Sequence, residues 1–468
     1  MSIQKLETDY LIIGSGAVGM AFADTMLTDS DASMIIVDKY ALPGGHWNKA
    51  YPFVTLHQPS HFYGVASSEL SSGQKDEVGW NKGLFELASG SEVLAYFDKV
   101  MKQRLLPSGR VQYFPKCTYN GNFKFTNNLS GDQYEVKVNK KWIDGTHLNT
   151  SIPATHTPNF SVDPGVKFMP LNNLTNIIEP PKGYVVIGGG KTGIDACLWL
   201  IQSGVHPEQI TWIISRDGWL LNREKTQPSV EFFHHTIGSQ ADQVEAIANA
   251  TSPEDLFLRL EDKGIFLRLD KDIMPTMFHG ATISTEELEQ MNRIPNIIRM
   301  GRVQKIGLNE IQLAKGTIHT SPDHVHADCS ATPLEKIDAV PVFQGDKIVP
   351  QTIRSYQPVF SASMIAHVEA TYPDDDQKKN KICNVVPIPD KANDWIEMTA
   401  INMMNQFTWG QDKELRKWML GNRLDGFSKV VKEVDKTDPK VLEVLNKFRD
   451  NAMSAAMNIQ KLIGMVQA

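Results

Sequence analysis

Two glycine clusters stand out as groups able to handle phosphate. Gly14, Gly16 and Gly19 in DYLIIGSGAVGM, and Gly188, Gly190 and Gly193 in YVVIGGGKTGID, share G-x-G-x-x-G spacing. Glycines so spaced let the chain turn sharply from a strand into a helix and bring backbone N–H groups against a pyrophosphate. The second cluster also spells Gly190-Lys191-Thr192, the end of a nucleoside-triphosphate loop. That loop needs a glycine five positions before Gly190, where Val185 stands inside an apolar run, so the spacing excludes it. A dinucleotide at each helix tip is the reading that remains.

The residue at the end of the following strand selects the dinucleotide. Asp9–Ile13 predicts a strand, Ala17–Leu27 a helix and Ser33–Val37 a returning strand, after which comes Asp38. An acid there binds a ribose 2′-hydroxyl and repels a 2′-phosphate, which points to FAD or NAD. The first site therefore comprises Gly14, Gly16, Ala17, Val18, Gly19, Asp38 and Lys39. In the second unit, Tyr184–Ile187 reads as a strand, Gly193–Gly204 as a helix and Ile210–Ser215 as a strand that leads into Ser215 and Arg216. An arginine there accommodates a 2′-phosphate, so the site of Gly188, Gly190, Lys191, Thr192, Gly193, Ser215 and Arg216 predicts NADPH over NADH. Asp195 is accounted for by the dipole of its helix, Lys191 by solvent or a cofactor phosphate. Arg223 is expected either to add to the phosphate site or to form a helix-surface salt bridge.

The stretch LPGGHWNKAYPFVTLHQPSHFYG, with Gly44, Gly45 and Trp47 in a GGxW arrangement, follows Asp38. Here the chain resembles the flavin-dependent monooxygenase superfamily of flavin-containing monooxygenases, Baeyer–Villiger enzymes and N-hydroxylases. SRDGWLLNR, Ser215 to Arg223, is similar to the S/T-R-x-G-x-W-x-x-x-R segment of their NADPH domain, with the tryptophan one place early. SEVLAYFDKV resembles a helix of that family at the same place. The resemblance implies FAD in the first site, with Gly45, His46 and Trp47 beside the flavin, and NADPH in the second, its 2′-phosphate on Arg216. It also implies that NADPH reduces the flavin, that a C4a-(hydro)peroxyflavin forms with O2, and that one oxygen atom passes to a small organic substrate. Gln58 resembles the glutamine of the N-hydroxylases and is the one candidate catalytic residue. The chain departs from the pattern before the second glycine cluster: Pro170 and Leu174 stand where the family's fingerprint has glycine and histidine. That departure keeps one alternative, a flavoprotein NADPH reductase or oxidase without oxygen insertion; the stretch after about residue 335, which matches nothing in the family, keeps a second, a non-catalytic redox sensor that binds nucleotides.

The elements that position these residues follow. With 468 residues the chain has room for two or three domains. The expected class is α/β, two Rossmann-like dinucleotide-binding domains with a helical C-terminal part: an FAD domain over 1–165, an inserted NADPH domain over 166–330, and a return to the FAD domain with C-terminal helices over 331–468. The resemblance implies crossovers at HLNTSIPATHTP, ending at Pro158, and at Val325–Pro333. Ser229–Gly264 reads as a polar helical insertion and Ile297–Asp328 as strands closing the NADPH domain. DWIEMTAINMMNQF and NAMSAAMNIQKLIGMV read as amphipathic helices. A formal charge of −7 disfavours nucleic acid. No signal peptide or membrane-spanning run is read, and four scattered cysteines give neither a disulfide framework nor a redox pair, so a cytoplasmic home is expected. No metal site is read, because His234, His235, His324 and His326 lack ligand spacing. His57 and His61 are expected to satisfy their own loop, Asp374–Asp376 to form a solvated loop, and the 18 methionines to fill the core. The sequence sets no oligomeric state.

Overall fold

The computed structural model describes residues 3–148, 152, 154–331, 337–372 and 375–467. Its first sheet is organised around Gln4–Ile13, which lies parallel to Met34–Val37 on one side and to Gln133–Asp144 on the other. Val111–Phe114 extends the parallel run past Met34–Val37. Burial rises along the first strand until Tyr10–Ile13 is enclosed, and all four residues of Met34–Val37 are buried. Continuous apolar strands of this kind require cover on both faces. One cover is the helix Ala17–Asp29, itself buried over most of its surface because Pro358–Thr371 packs on its other side. Thr25 and Ser363 share a hydrogen bond of 2.7 Å in that contact.

The second sheet has five parallel strands in the order Lys167–Pro170, His324–Asp328, Gly183–Ile187, Ile210–Ile213, Asn296–Ile298. The helix Lys191–Gln202 connects its third and fourth strands in a βαβ crossover. The fold is thus α/β, with two Rossmann-like units and a helical C-terminal part. Among the described residues no helix is long and apolar enough to cross a membrane.

Several expectations need correction. Val303–Ile306, Glu310–Leu313 and Gly316–His319 do not close the second sheet; they form a separate small antiparallel sheet that also pairs with Ser161–Val162. His324–Asp328 then returns to the middle of the parallel sheet, a register that a run of alternating residues cannot reveal. Thr332 and Pro333 of the expected second crossover lie outside the described residues, as do Asn149, Thr150, Ser151 and Pro153 of the first. The described part of the first, around His147 and Leu148, is turn rather than strand.

The C-terminal part has two tasks. The hairpin Phe343–Gln344 and Lys347–Ile348 adds to the first sheet beside Gln133–Asp144. Asp394–Gln411 and Pro439–Gln467 pack with the insertion helices Phe233–Asn249 and Pro253–Asp262 around Trp219, Phe257, Phe266 and Trp395. The acidic run is not a solvated loop where it is described. Asp375 caps the helix Asp376–Ile382, and Asp376 pairs with Lys141 at 2.9 Å and with fully buried Lys379 at 2.8 Å. Not all methionines fill core either, since Met404, Met453, Met457 and Met465 are exposed on the C-terminal helices.

Candidate functional site

The first cradle follows directly from its glycines. Gly14 has φ +97°, a conformation that side chains resist, and its N–H donates to Val37 O at 2.8 Å. A Cβ on Gly19 would stand 2.0 Å from Gly14 O, so only glycine lets the helix start this close to the strand. Gly16 begins the helix with no side-chain cap, which leaves the N–H groups of Ala17 and Val18 free at the tip. By contrast Ser89 and Ser284 close their helices with capping boxes. Gly45 then crosses the tip: a Cβ on it would lie 2.9 Å from Gly16 Cα. Behind it Trp47 is buried and donates from Nε1 to Tyr63 Oη at 2.8 Å. His46 stacks on Trp47, and burial pushes its imidazole down to about 4. Asp38 is buried at the end of its strand; Oδ2 accepts from the Ser15 N–H at 2.6 Å and from the Ser15 hydroxyl at 2.8 Å, and Oδ1 from the Tyr40 N–H. Lys39 is exposed.

The second cradle repeats the geometry. Gly188 has φ +135°, and a Cβ there would meet Cys329 O at 2.3 Å; a Cβ on Gly193 would meet Gly188 O at 2.0 Å. Gly190 caps the helix Lys191–Gln202 with no side chain, and a Cβ on it would touch nothing within 4 Å. The ground before both tips therefore fits a pyrophosphate, held by backbone N–H groups and the helix dipole. Ser215 is exposed at the end of its strand. Arg216 beside it makes a two-pronged pair with Asp390, at 3.0 and 2.7 Å.

The loop between Gly45 and Phe85 joins the two cradles through residues that the sequence did not single out. The Tyr51 hydroxyl donates to Asp195 Oδ2 at 2.6 Å, one turn into the second cradle's helix, and Lys191 pairs with the other carboxylate oxygen. The helix dipole therefore does not account for Asp195, which lies past the first turn; it anchors a tyrosine from the first unit and pairs with Lys191 instead. Burial, and then the Asp195 carboxylate, raise the Tyr51 phenol well above its usual range, so it stays protonated as a donor. Asn172 donates to the carbonyls of Lys49 and Ala50, both at 3.0 Å, from the segment where the family fingerprint was expected.

Arg223 is neither a phosphate ligand nor a surface residue. Its side chain has no exposed area, and it donates to His57 O, Asn81 Oδ1, Thr282 O and Glu287 Oε2. His57 does not serve its own loop: its Nδ1 accepts from the Thr282 N–H at 3.2 Å, across the seam, which leaves the ring proton on Nε2. Burial, with Lys191 and Arg223 nearby, pushes His57 down to about 3. His61 pairs with Glu69 at 2.8 Å. Gln58 lies half-buried next to His57 and makes no hydrogen bond within the described residues. The structure therefore brings Lys191, Thr192, Asp195, Tyr51 and His57 together at one seam, and Ser215 and Arg216 follow the neighbouring strand Ile210–Ile213.

No family model matches the chain. An uncharacterized protein of Mycobacterium tuberculosis is 42% identical over 466 residues, covering 99% of this chain and 86% of that protein. An uncharacterized protein of Mycobacterium bovis matches to the same extent. Among solved structures, a flavin-containing monooxygenase from Stenotrophomonas maltophilia is 15% identical, covers 78% of this chain and 98% of its own, and has a TM-score of 0.45. Cyclohexanone monooxygenase from Rhodococcus sp. Phi1 bound to NADP+ is 12% identical, covers 98% of both chains, and has a TM-score of 0.47.

Proposed function

The chain belongs to the same protein family as these mycobacterial proteins, and from its two cradles we propose that it is an FAD- and NADPH-dependent oxidoreductase, a monooxygenase acting on a small organic substrate with O2. In this reading residues 1–165 and the returning hairpin and helix of 331–468 hold FAD, and residues 166–330 hold NADPH. The observation that carries it is the segment from Gly45 to Tyr51. One end lies against Gly16 at the first helix tip, and the other reaches Asp195 at the second. Six residues span at most about 20 Å, so two dinucleotides on these tips lie within reach of each other.

Bound FAD would supply hydride acceptance and oxygen activation, and NADPH the hydride. The chain's part is placement and exclusion. Ala17 and Val18 offer N–H groups to one pyrophosphate, and Gly190, Lys191 and Thr192 hold the other. Asp38 and Arg216 discriminate at the two riboses, Asp38 by exchanging its Ser15 partner for a hydroxyl. Trp47, locked by Tyr63, and His46, without a proton to give near neutral pH, keep the flavin side free of stray acid. Gln58, with its amide uncommitted, is the residue we assign to hydrogen-bond the flavin or the substrate.

The test begins with the colour and spectrum of the purified chain after incubation with FAD; a protein that takes up no flavin refutes the reading. Anaerobic NADPH should then bleach the flavin. Aerobic turnover with amines, sulfides and ketones, followed by product mass, should show a gain of one oxygen atom. Stoichiometric peroxide with no oxygenated product would instead identify an NADPH oxidase.

A further inference from the structure

Asp390 comes from the segment between two C-terminal helices, more than 170 residues after Arg216, yet its carboxylate fills the arginine's fork. His279 Nε2 reaches the same carboxylate at 2.9 Å. The backbone holds the three residues in register. The Phe278 N–H donates to Asp390 O and the Ala392 N–H to Thr276 O, while the Thr276 and Met277 N–H groups donate to Asp217 O and the Trp219 N–H to Met277 O. Asp390–Ala392 is thus layered on Thr276–Phe278, which is layered on the strand end that carries Arg216. The side chains stay accessible to solvent, with Asp390 53%, Arg216 33% and His279 25% exposed. Asp217, the other acid here, is committed to Arg299 at 3.0–3.1 Å.

Two cationic or donor groups converging on one oxyanion from different segments describe an anion slot, and a carboxylate's paired oxygens present to an arginine fork much as a phosphate's do. We infer that Asp390 is a built-in stand-in for the 2′-phosphate of NADPH, and that His279 is the second arm of the phosphate site beside Arg216. The incoming phosphate displaces the Asp390 side chain into solvent while the backbone layer keeps both arms in place. Asp390 thereby sets the affinity for 2′-phosphorylated nucleotides and penalises nothing else. This inference rests on the second cradle holding a dinucleotide, as proposed above.

The test uses the full chain and calorimetric titration with 2′,5′-ADP and with 5′-AMP, probes that differ only in the 2′-phosphate. Removing the competing charge in Asp390→Asn should tighten 2′,5′-ADP about fivefold, the worth of a half-exposed ion pair, with 5′-AMP unchanged. His279→Ala should weaken 2′,5′-ADP about tenfold and again leave 5′-AMP unchanged. Unchanged or weaker 2′,5′-ADP binding in Asp390→Asn overturns the stand-in, and that variant decides alone if His279→Ala does not fold. Unchanged 2′,5′-ADP binding in His279→Ala overturns the second arm. A wild-type chain that binds both probes equally sinks this inference but spares the dinucleotide site; one that binds neither sinks the site as well.

Discussion

Arg223 shows what a single side chain carries in this molecule. Its guanidinium, itself without solvent contact, joins the loop after Gly45 at His57 and Asn81 to Thr282 and Glu287 of the second unit. Truncation leaves the Glu287 carboxylate with its charge uncompensated and three acceptors without a donor. Arg223→Ala should lower the unfolding free energy in urea by about 3–5 kcal/mol. Arg223→Lys, which keeps the charge but loses the fork, should fall between that and the wild type; equal stabilities for all three would remove Arg223 from the seam. His326 carries a second prediction. It is buried between Thr320 and the Lys167 carbonyl, and burial lowers it to about 4. An unfolded histidine titrates near 6.5, so the unfolded chain takes up the proton first as pH falls. The stability this buried neutral ring confers is complete above about pH 6.5 and is lost progressively down to pH 4, by up to about 3 kcal/mol. Urea midpoints across that range should slope less steeply in His326→Asn than in the wild type.

Among the elements, the Gly45–Tyr51 segment matters most, because it touches both helix tips. Tyr51→Phe keeps the ring beside Phe53, whose stack on Trp199 at 4.5 Å continues into the second unit, but removes the donor to Asp195. Its expected signature is weaker NADPH binding by about fivefold to tenfold with flavin content unchanged; equal losses of both nucleotides would mean that the hydroxyl serves general stability instead. This element also marks where sequence reading stops. The glycine turns were legible because their cause is mostly local: Gly14 and Gly188 have positive φ, and Gly19 and Gly193 are dictated by clashes with the carbonyls of Gly14 and Gly188 five residues earlier. Gly44, Gly45 and Trp47 were legible as a motif. Tyr51 with Asp195, Arg216 with Asp390 and Arg223 with Glu287 were not, because each pair joins residues far apart in sequence and nothing local to either partner points to the other. Arg223 followed by Glu224, or Asp376 near Lys379, reads as ordinary surface chemistry until the tertiary structure removes the water. The separate sheet of Val303–His319 was missed for a similar reason, since alternation reports that a strand is half-covered but not by what.

Across the whole molecule, the insertion and the chain's last helix form one layer. Phe233 and Ile237 pack with Val430, Val434 and Val441, and Val244 and Ile247 lie in one core with Ala455, Ile459 and Leu462. Asn458 ties the layer by donating to the carbonyls of Ile247 and Ala250, both at 2.8 Å. Ending the chain after Asp438 should therefore uncover an apolar face on the insertion, seen as strong binding of a hydrophobic dye and loss of a single cooperative thermal transition. Retention of both wild-type properties would show that the insertion is covered without this helix. The same arrangement imposes an order on biosynthesis. Roughly 190 residues must leave the ribosome between the insertion helix and the helix that covers it, a wait of about 10–40 s at ordinary elongation rates. Throughout that interval Phe233, Ile237 and Ile247 face the crowded nascent-chain environment, so yield in a cell should depend on chaperone supply during translation.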